Sequence, residues 1–131
     1  MAAHHFPVRV YYEDTDLAGI VYYANYLRFI ERARSEWIRT LGIDQRALKA
    51  ERGIVFAVRS LSAEYLSPAT FDDLLDVGTS LEAATPARLV LSQEVRRDGR
   101  LLFSASVTLV CIGPGGRPVR LPADIRRRLG A

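Results

Sequence analysis

The chain is poor in the residues that most hydrolases use. Its 131 residues include two histidines, His4 and His5, adjacent near one terminus, and one cysteine, Cys111. A single cysteine cannot close an internal disulfide, which fits a reducing compartment. Cys111 ends an apolar strand pattern and reads as a small buried hydrophobe rather than a nucleophile. A Ser-His-Asp or Cys-His scheme would need a terminal histidine to fold back into a cleft, and no Gly-x-Ser-x-Gly elbow is present. Without a spaced set of His, Cys, Asp and Glu, no metal site is expected. The glycine-rich and Walker phosphate loops are missing as well. No apolar run approaches the roughly 18 residues of a membrane span. The opening Met-Ala-Ala-His-His-Phe-Pro lacks the apolar core of a signal peptide, so a cytoplasmic location is expected. Charge is nearly balanced, 18 basic against 15 acidic side chains for a net +3. That excess is too weak to imply a nucleic-acid partner, and no pattern of stacking aromatics accompanies it; it favours an anionic small ligand.

With 49% hydrophobic and 25% charged residues, the composition is that of an ordinary globular protein, and the length suits one domain spanning 1–131. A first strand is predicted over Phe6 to Tyr12, with Phe6, Val8, Val10 and Tyr12 on one face. From Asn25 to Leu41 the period turns helical: Tyr26, Phe29, Ile30, Ala33, Trp37 and Leu41 form a stripe, and Gly42 stops it. A short helix from Asp44, a good N-cap, runs to Arg52 and ends at Gly53. Strands follow at Val55 to Tyr65, Leu74 to Ala84, Arg88 to Arg97 and Leu101 to Cys111. Asp98-Gly99 joins the last two as a tight hairpin. In the final strand Leu101, Phe103, Ala105, Val107 and Leu109 share one face. Gly113-Pro-Gly-Gly116 is a turn, and Pro122 to Leu129 a short basic helix. The expected architecture is α+β: a five-stranded antiparallel sheet wrapped around one long α-helix, its later strands in meander order. The free sheet edge and outer face call for cover by self-association.

Chemistry concentrates in Tyr12-Glu-Asp-Thr-Asp-Leu-Ala-Gly-Ile-Val-Tyr-Tyr-Ala-Asn-Tyr26. Asp14 and Asp16 lie between the first strand and the long helix, whose unpaired N-terminal amides can hold a developing negative charge. Asp14-x-Asp16-x-x-Gly19 departs from a calcium loop, since Ala18 and Asn25 stand where further ligands are needed and the closing Glu is absent. What remains is a carboxylate: Asp16 attacks an acyl carbon or activates a water, and helix amides hold the carbonyl oxygen. Alternatively both acids only cap the helix or stabilise the turn. Tyr22, Tyr23 and Tyr26 are either core or interface aromatics or substrate contacts, and spacing does not separate these. Arg59, a charge amid apolar strand neighbours, meets an acid across an interface or binds a ligand phosphate. Arg126-Arg127-Arg128 reads as a solvated face.

From Val8 to Trp37 the sequence resembles the opening of hotdog-fold acyl-CoA thioesterases. The resemblance rests on Asp14-Thr-Asp-Leu-Ala-Gly19 followed by Val21-Tyr-Tyr-Ala-Asn-Tyr26 and Glu31-Arg-Ala-Arg34. It continues more loosely through Tyr65-Leu-Ser-Pro-Ala69 and the later strands. More narrowly, it points to the Tol-Pal-associated branch of the 4-hydroxybenzoyl-CoA thioesterase group. It implies hydrolysis of an acyl-CoA to free acid and coenzyme A with no cofactor, in dimers with sites at the subunit interface, often paired into a homotetramer. By match to the motif, Asp16 takes the place of the catalytic aspartate. Tyr23 supplies the backbone N–H that polarises the thioester carbonyl, and Gly19 lets the loop pass the substrate. Tyr26 is a substrate contact, and Arg59 and Arg117 are the candidates to meet the coenzyme phosphates. Tol-Pal relatives often carry histidine where this chain has Tyr23; a backbone role survives that change, because any residue but proline supplies the N–H. The thioester rides on coenzyme A or on an acyl carrier protein. Two other classes compete: a binding module with the same cleft but no turnover, and an interaction protein whose tyrosine-rich loop serves a partner surface.

Overall fold

The computed structural model describes residues 3–130. Strand β1 (His4–Arg9) leads through a tight turn at Tyr12–Asp14 to helix α1 (Asn25–Thr40) and then to α2 (Gln45–Arg52). Strands β2 (Val55–Tyr65), β3 (Leu74–Ala84), β4 (Leu89–Arg97) and β5 (Arg100–Ile112) follow, then a two-residue β6 (Pro118–Val119) and α3 (Ala123–Arg128). The antiparallel sheet has the order β1-β3-β4-β5-β2, with β6 on β5. It is a hotdog fold, in which α1 lies over β3 and touches β1 and β4. Among the described residues no helix is long and apolar enough to cross a membrane.

Each element follows from local signals. The α1 stripe buries Tyr26, Phe29, Ile30, Ala33, Trp37 and Ile38 against the sheet. Ile38 takes the place the period gave to Leu41, which is only partly buried as the helix closes at Thr40. Asp44 caps α2 by accepting the Ala47 N–H at 3.0 Å, and Gly53 ends it in the left-handed region. The hairpin at Asp98-Gly99 has positive φ at both residues, 50° and 80°, as a two-residue turn between twisted strands requires.

Three expectations fail. Tyr12 does not continue the first strand: β1 ends at Arg9, and Tyr12 is 80% exposed in the turn that begins the acidic loop. The later strands are not a simple meander. Tyr65 pairs with Phe103, so β2 lies beside β5 at one edge, and the chain crosses through 66–73 to place β3 beside β1. A two-residue turn forces neighbours to pair, as Asp98-Gly99 does, whereas a longer connection leaves the partner to be set by burial. Finally, a bulge between Val95 and Arg96 makes Leu102 the extra residue of β5, and it is buried together with Phe103, leaving Leu101 half-buried. Strand alternation across such a bulge slips by one.

A polar group crosses the core. The buried Gln93 of β4 donates from Nε2 to the Ile30 carbonyl of α1 at 2.8 Å and to Thr79 Oγ1 of β3 at 2.9 Å. Its Oε1 accepts from Arg34 at 3.0 Å. Burial holds the Arg34 guanidinium below its ordinary value, with Glu31 opposing. The set ties helix to sheet with both polar atoms of the Gln93 side chain satisfied.

Candidate active site

The loop between β1 and α1 is held mostly by its own hydrogen bonds. Asp14 Oδ2 accepts the Tyr11 N–H at 2.8 Å, while its carbonyl accepts the Tyr22 N–H and the Asn25 side chain, both at 2.9 Å. Asp14 thus braces the loop through its carbonyl and one carboxylate oxygen. Asp16 closes a smaller turn: its N–H donates to Ile20 O and its carbonyl accepts the Gly19 N–H, both at 2.9 Å. Asp16 Oδ1 accepts the Ala18 N–H at 2.9 Å, and among the described residues its Oδ2 receives no hydrogen bond from the protein. Gly19 has φ of 82°, and a Cβ there would meet no atom within 4 Å, so backbone conformation rather than close contact inside the protein requires glycine.

A second loop, 66–73, braces the first. Val21 N–H donates to Ala69 O at 2.9 Å, and Ile20 bridges to Thr70. The Ala69 N–H in turn donates to the hydroxyl of the buried Tyr26 at 3.1 Å. Asp73 accepts from the Thr70 N–H at 2.9 Å and from Arg97 at 2.6 Å, pinning the loop to the end of β4. Burial pushes the Asp73 carboxyl up, but the Thr70 amide and the Arg97 guanidinium outweigh it and hold the group below the usual carboxylate value.

Between the two loops lies a cleft of about 440 Å³ lined by Asp16, Tyr22, Tyr23, Tyr26, Tyr65 and Pro68, among others. Its wall is aromatic. Tyr22 and Tyr23 lie 4.9 Å apart by ring centroids, Tyr23 and Tyr65 6.2 Å, and Tyr26 stacks on Phe103 at 5.0 Å. Proximity to Tyr23 raises the Tyr22 phenol, and burial raises that of Tyr26, so both remain protonated at neutral pH. The start of α1 opens onto this cleft at Tyr23. Ala24, at the N-cap position, makes no side-chain cap, and among the described residues the Tyr23 N–H has no acceptor. Asp16, with one carboxylate oxygen unbonded, and Tyr23, with its N–H unpaired, thus line one largely apolar cleft. Together they can deliver a base or nucleophile to an acyl carbon and receive the charge that develops on its oxygen.

The structure brings Asp16, Tyr23 and Tyr26 to the cleft. Tyr26 is also a structural anchor, since its hydroxyl holds Ala69. Gly19 shapes the Asp16 turn without lining the cleft. Arg59 is exposed at a register shift of β2, and Arg117 lies in the turn before β6; neither lines the cleft within one chain. Neither aspartate caps α1, but both stabilise turns, which is one half of the structural alternative. Tyr65 and Pro68 fall in a segment that shares the resemblance, but nothing in the sequence marks them as site residues, because it is the pairing of β2 with β5 that brings Tyr65 opposite the acidic loop. Among the described residues no cluster of His, Cys, Asp and Glu is arranged to hold a metal ion.

The chain belongs to the thioesterase-like superfamily, whose family model matches residues 10–129. Within it, the chain is 42% identical over 122 residues to the acyl-CoA thioesterase YbgC of Haemophilus influenzae, covering 92% of this chain and 90% of that protein. It is 45% identical over 121 residues to the acyl-CoA thioester hydrolase YbgC of Escherichia coli O6:H1, covering 91% and 90%. A solved mutant 4-hydroxybenzoyl CoA thioesterase, complexed with 4-hydroxybenzoyl CoA, superposes with a TM-score of 0.93 at 26% identity, over 98% of this chain and 99% of that one.

Proposed function

We propose that the chain is an acyl-CoA thioesterase and that Asp16 is its catalytic carboxylate. The observation that supports this reading is that Asp16 and Tyr23, whose N–H has no acceptor among the described residues, line one cleft. The names of the YbgC relatives supply the substrate class. In the reaction the thioester carbonyl oxygen accepts the Tyr23 N–H. Asp16 either adds to the carbonyl carbon, giving a mixed anhydride that water then hydrolyses to the free acid, or removes a proton from a water that adds in its place. Coenzyme A leaves as its thiolate, a good leaving group, so one carboxylate and one amide donor are a sufficient minimum. The cleft tyrosines offer the acyl group an aromatic wall.

The test is release of free thiol from a panel of aliphatic and aromatic acyl-CoA and acyl-carrier-protein thioesters by wild type and Asp16→Asn. Turnover that disappears in the variant supports the reading and ranks the acyl groups. Full turnover in folded Asp16→Asn overturns the role of Asp16. Absence of turnover on every thioester, with coenzyme A derivatives still raising the melting temperature, leaves a binding module instead.

The same reading includes a second copy of the chain. Strand β2 is a sheet edge with Val58, Leu61 and Tyr65 exposed, and an apolar groove of about 430 Å³ runs beside it, lined by Leu27, Ile30, Val58, Leu61 and Val107. An eleven-residue edge of this kind is stable in water when covered. Sedimentation equilibrium should give a dimer or a dimer of dimers, and a monomer at micromolar concentration overturns this part.

A further inference from the structure

A backbone amide stabilises a developing oxyanion only if its peptide is held still. Tyr23, whose N–H faces the cleft in the reading above, is flanked by two peptide planes. The first is fixed at its carbonyl end, where Tyr22 O accepts the Asn25 N–H at 2.8 Å. The second has lost its ordinary partner. In an α-helical turn the Tyr23 carbonyl would accept the Leu27 N–H, but that amide donates to Ala24 O at 3.1 Å. A donor from the sheet takes its place: the Tyr65 hydroxyl donates to Tyr23 O at 2.9 Å.

We propose that Tyr65 is a positioning residue, whose hydroxyl clamps the Tyr23 backbone so that its N–H is aimed at the substrate carbonyl. The inference rests on the thioesterase reading of the cleft. Tyr65 is well seated for this role. It is the last residue of β2, in register with Phe103, and its ring packs edge-on to Phe103 at 5.0 Å and to Tyr26 at 5.5 Å. The hydroxyl thereby ties a paired strand end to the first turn of a helix that has no side-chain cap. Burial, then Tyr23 and Tyr26, raise the Tyr65 phenol above its ordinary value, so it remains a donor throughout the neutral range.

Tyr65→Phe removes the clamp and keeps the ring. Its kcat should fall about 10- to 100-fold, as expected for a misdirected oxyanion donor, with KM and melting temperature nearly unchanged. Two binding readouts separate positioning from packing. A thioether analogue of the acyl-CoA, which has no carbonyl, should bind wild type and Tyr65→Phe equally. A carbonyl-labelled acyl-CoA bound to Asp16→Asn should show a lowered carbonyl stretch in the infrared, and adding Tyr65→Phe should move it back towards the free value. Unchanged kcat together with an unchanged carbonyl stretch overturns the proposal. So does an equal loss of affinity for the thioether, which would make Tyr65 a wall and nothing more. If wild type hydrolyses no thioester, the functional reading falls by itself, and the carbonyl stretch of bound ligand still decides the role of Tyr65.

Discussion

Helices α1 and α2 begin in opposite ways. The first turn of α2 is sealed by Asp44, which accepts the Ala47 N–H, whereas α1 starts at Ala24 with no side-chain cap although Asp14 and Asp16 lie in the loop just before it. The difference follows from what each helix buries. The eight residues of α2 bury only Leu48, so local capping matters to its stability. The sixteen residues of α1 bury six side chains, including Tyr26, Phe29 and Trp37, and burial of about 1.5–3 kcal/mol each exceeds the ~1 kcal/mol of a missing cap. A helix anchored by its packing can therefore leave an amide unpaired just before its start, and Tyr23, whose N–H has no acceptor among the described residues, lines the cleft. The two aspartates differ in place rather than in pairing: each carboxylate accepts one backbone N–H through one oxygen, but only Asp16 lines the cleft between the two loops.

If unpaired groups at the start of α1 serve chemistry and paired groups elsewhere serve stability, substitutions should separate along the same line. The largest effect is expected at Asp16. Asp16→Asn keeps an Oδ1 to accept the Ala18 N–H, so its melting temperature should stay close to wild type, while kcat falls about 10²–10⁴-fold. A variant that loses stability and activity in step would erase the contrast. Gln93 is the opposite case, a fully paired group in the core. Gln93→Ala strands Thr79 Oγ1 and the half-buried Arg34 guanidinium, and should cost about 2–4 kcal/mol by urea unfolding. Whatever folded protein remains should turn over normally.

Sharper still is the pair of helix starts themselves. Asp44→Ala should destabilise by about 1 kcal/mol with kcat unaltered. A loss well below that would mean that α2 is held by its contacts with β2 rather than by its cap. Cys111 gives a related check on a group with no role in the cleft. Burial raises its thiol to about 11, so it should resist thiol reagents at pH 8 in the native protein and react promptly in denaturant.

How much of this is legible in the sequence depends on range. The strand and helix limits from Asp44 onward can be read because capping, alternation and the Asp98-Gly99 turn are short-range signals. Asp16 and Tyr23 are legible because they lie within one contiguous motif. Strand order is not, since the placement of β2 beside β5 is fixed by burial across the whole sheet. That placement also hides Tyr65, which approaches Tyr23 only after the sheet has formed. A single bulge puts Leu102 out of step with strand alternation, and Gln93 gives no signal at all, because a polar residue on a strand is ordinarily solvated.

The smallest expected effect lies away from the cleft, where α2 and α3 are joined by the paired hydrogen bonds of Arg52 to Asp124, at 3.0 and 2.8 Å. The Arg52 guanidinium is the main reason that the Asp124 carboxyl falls from 3.8 to about 2. Because the folded value is depressed, the pair contributes stability above the unfolded value, near 3.8, and loses it as pH falls through about 2. Both groups are exposed, so solvent screening keeps the contribution small. Melting curves of wild type and Asp124→Asn should therefore differ slightly but constantly from pH 7 down to about 4, then converge towards pH 2. High salt should shrink the difference, and kcat at neutral pH should be the same in both, since neither residue lines the cleft. A loss of turnover in Asp124→Asn would show that the α2–α3 contact is coupled to the cleft, and the separation between paired and unpaired groups would then fail.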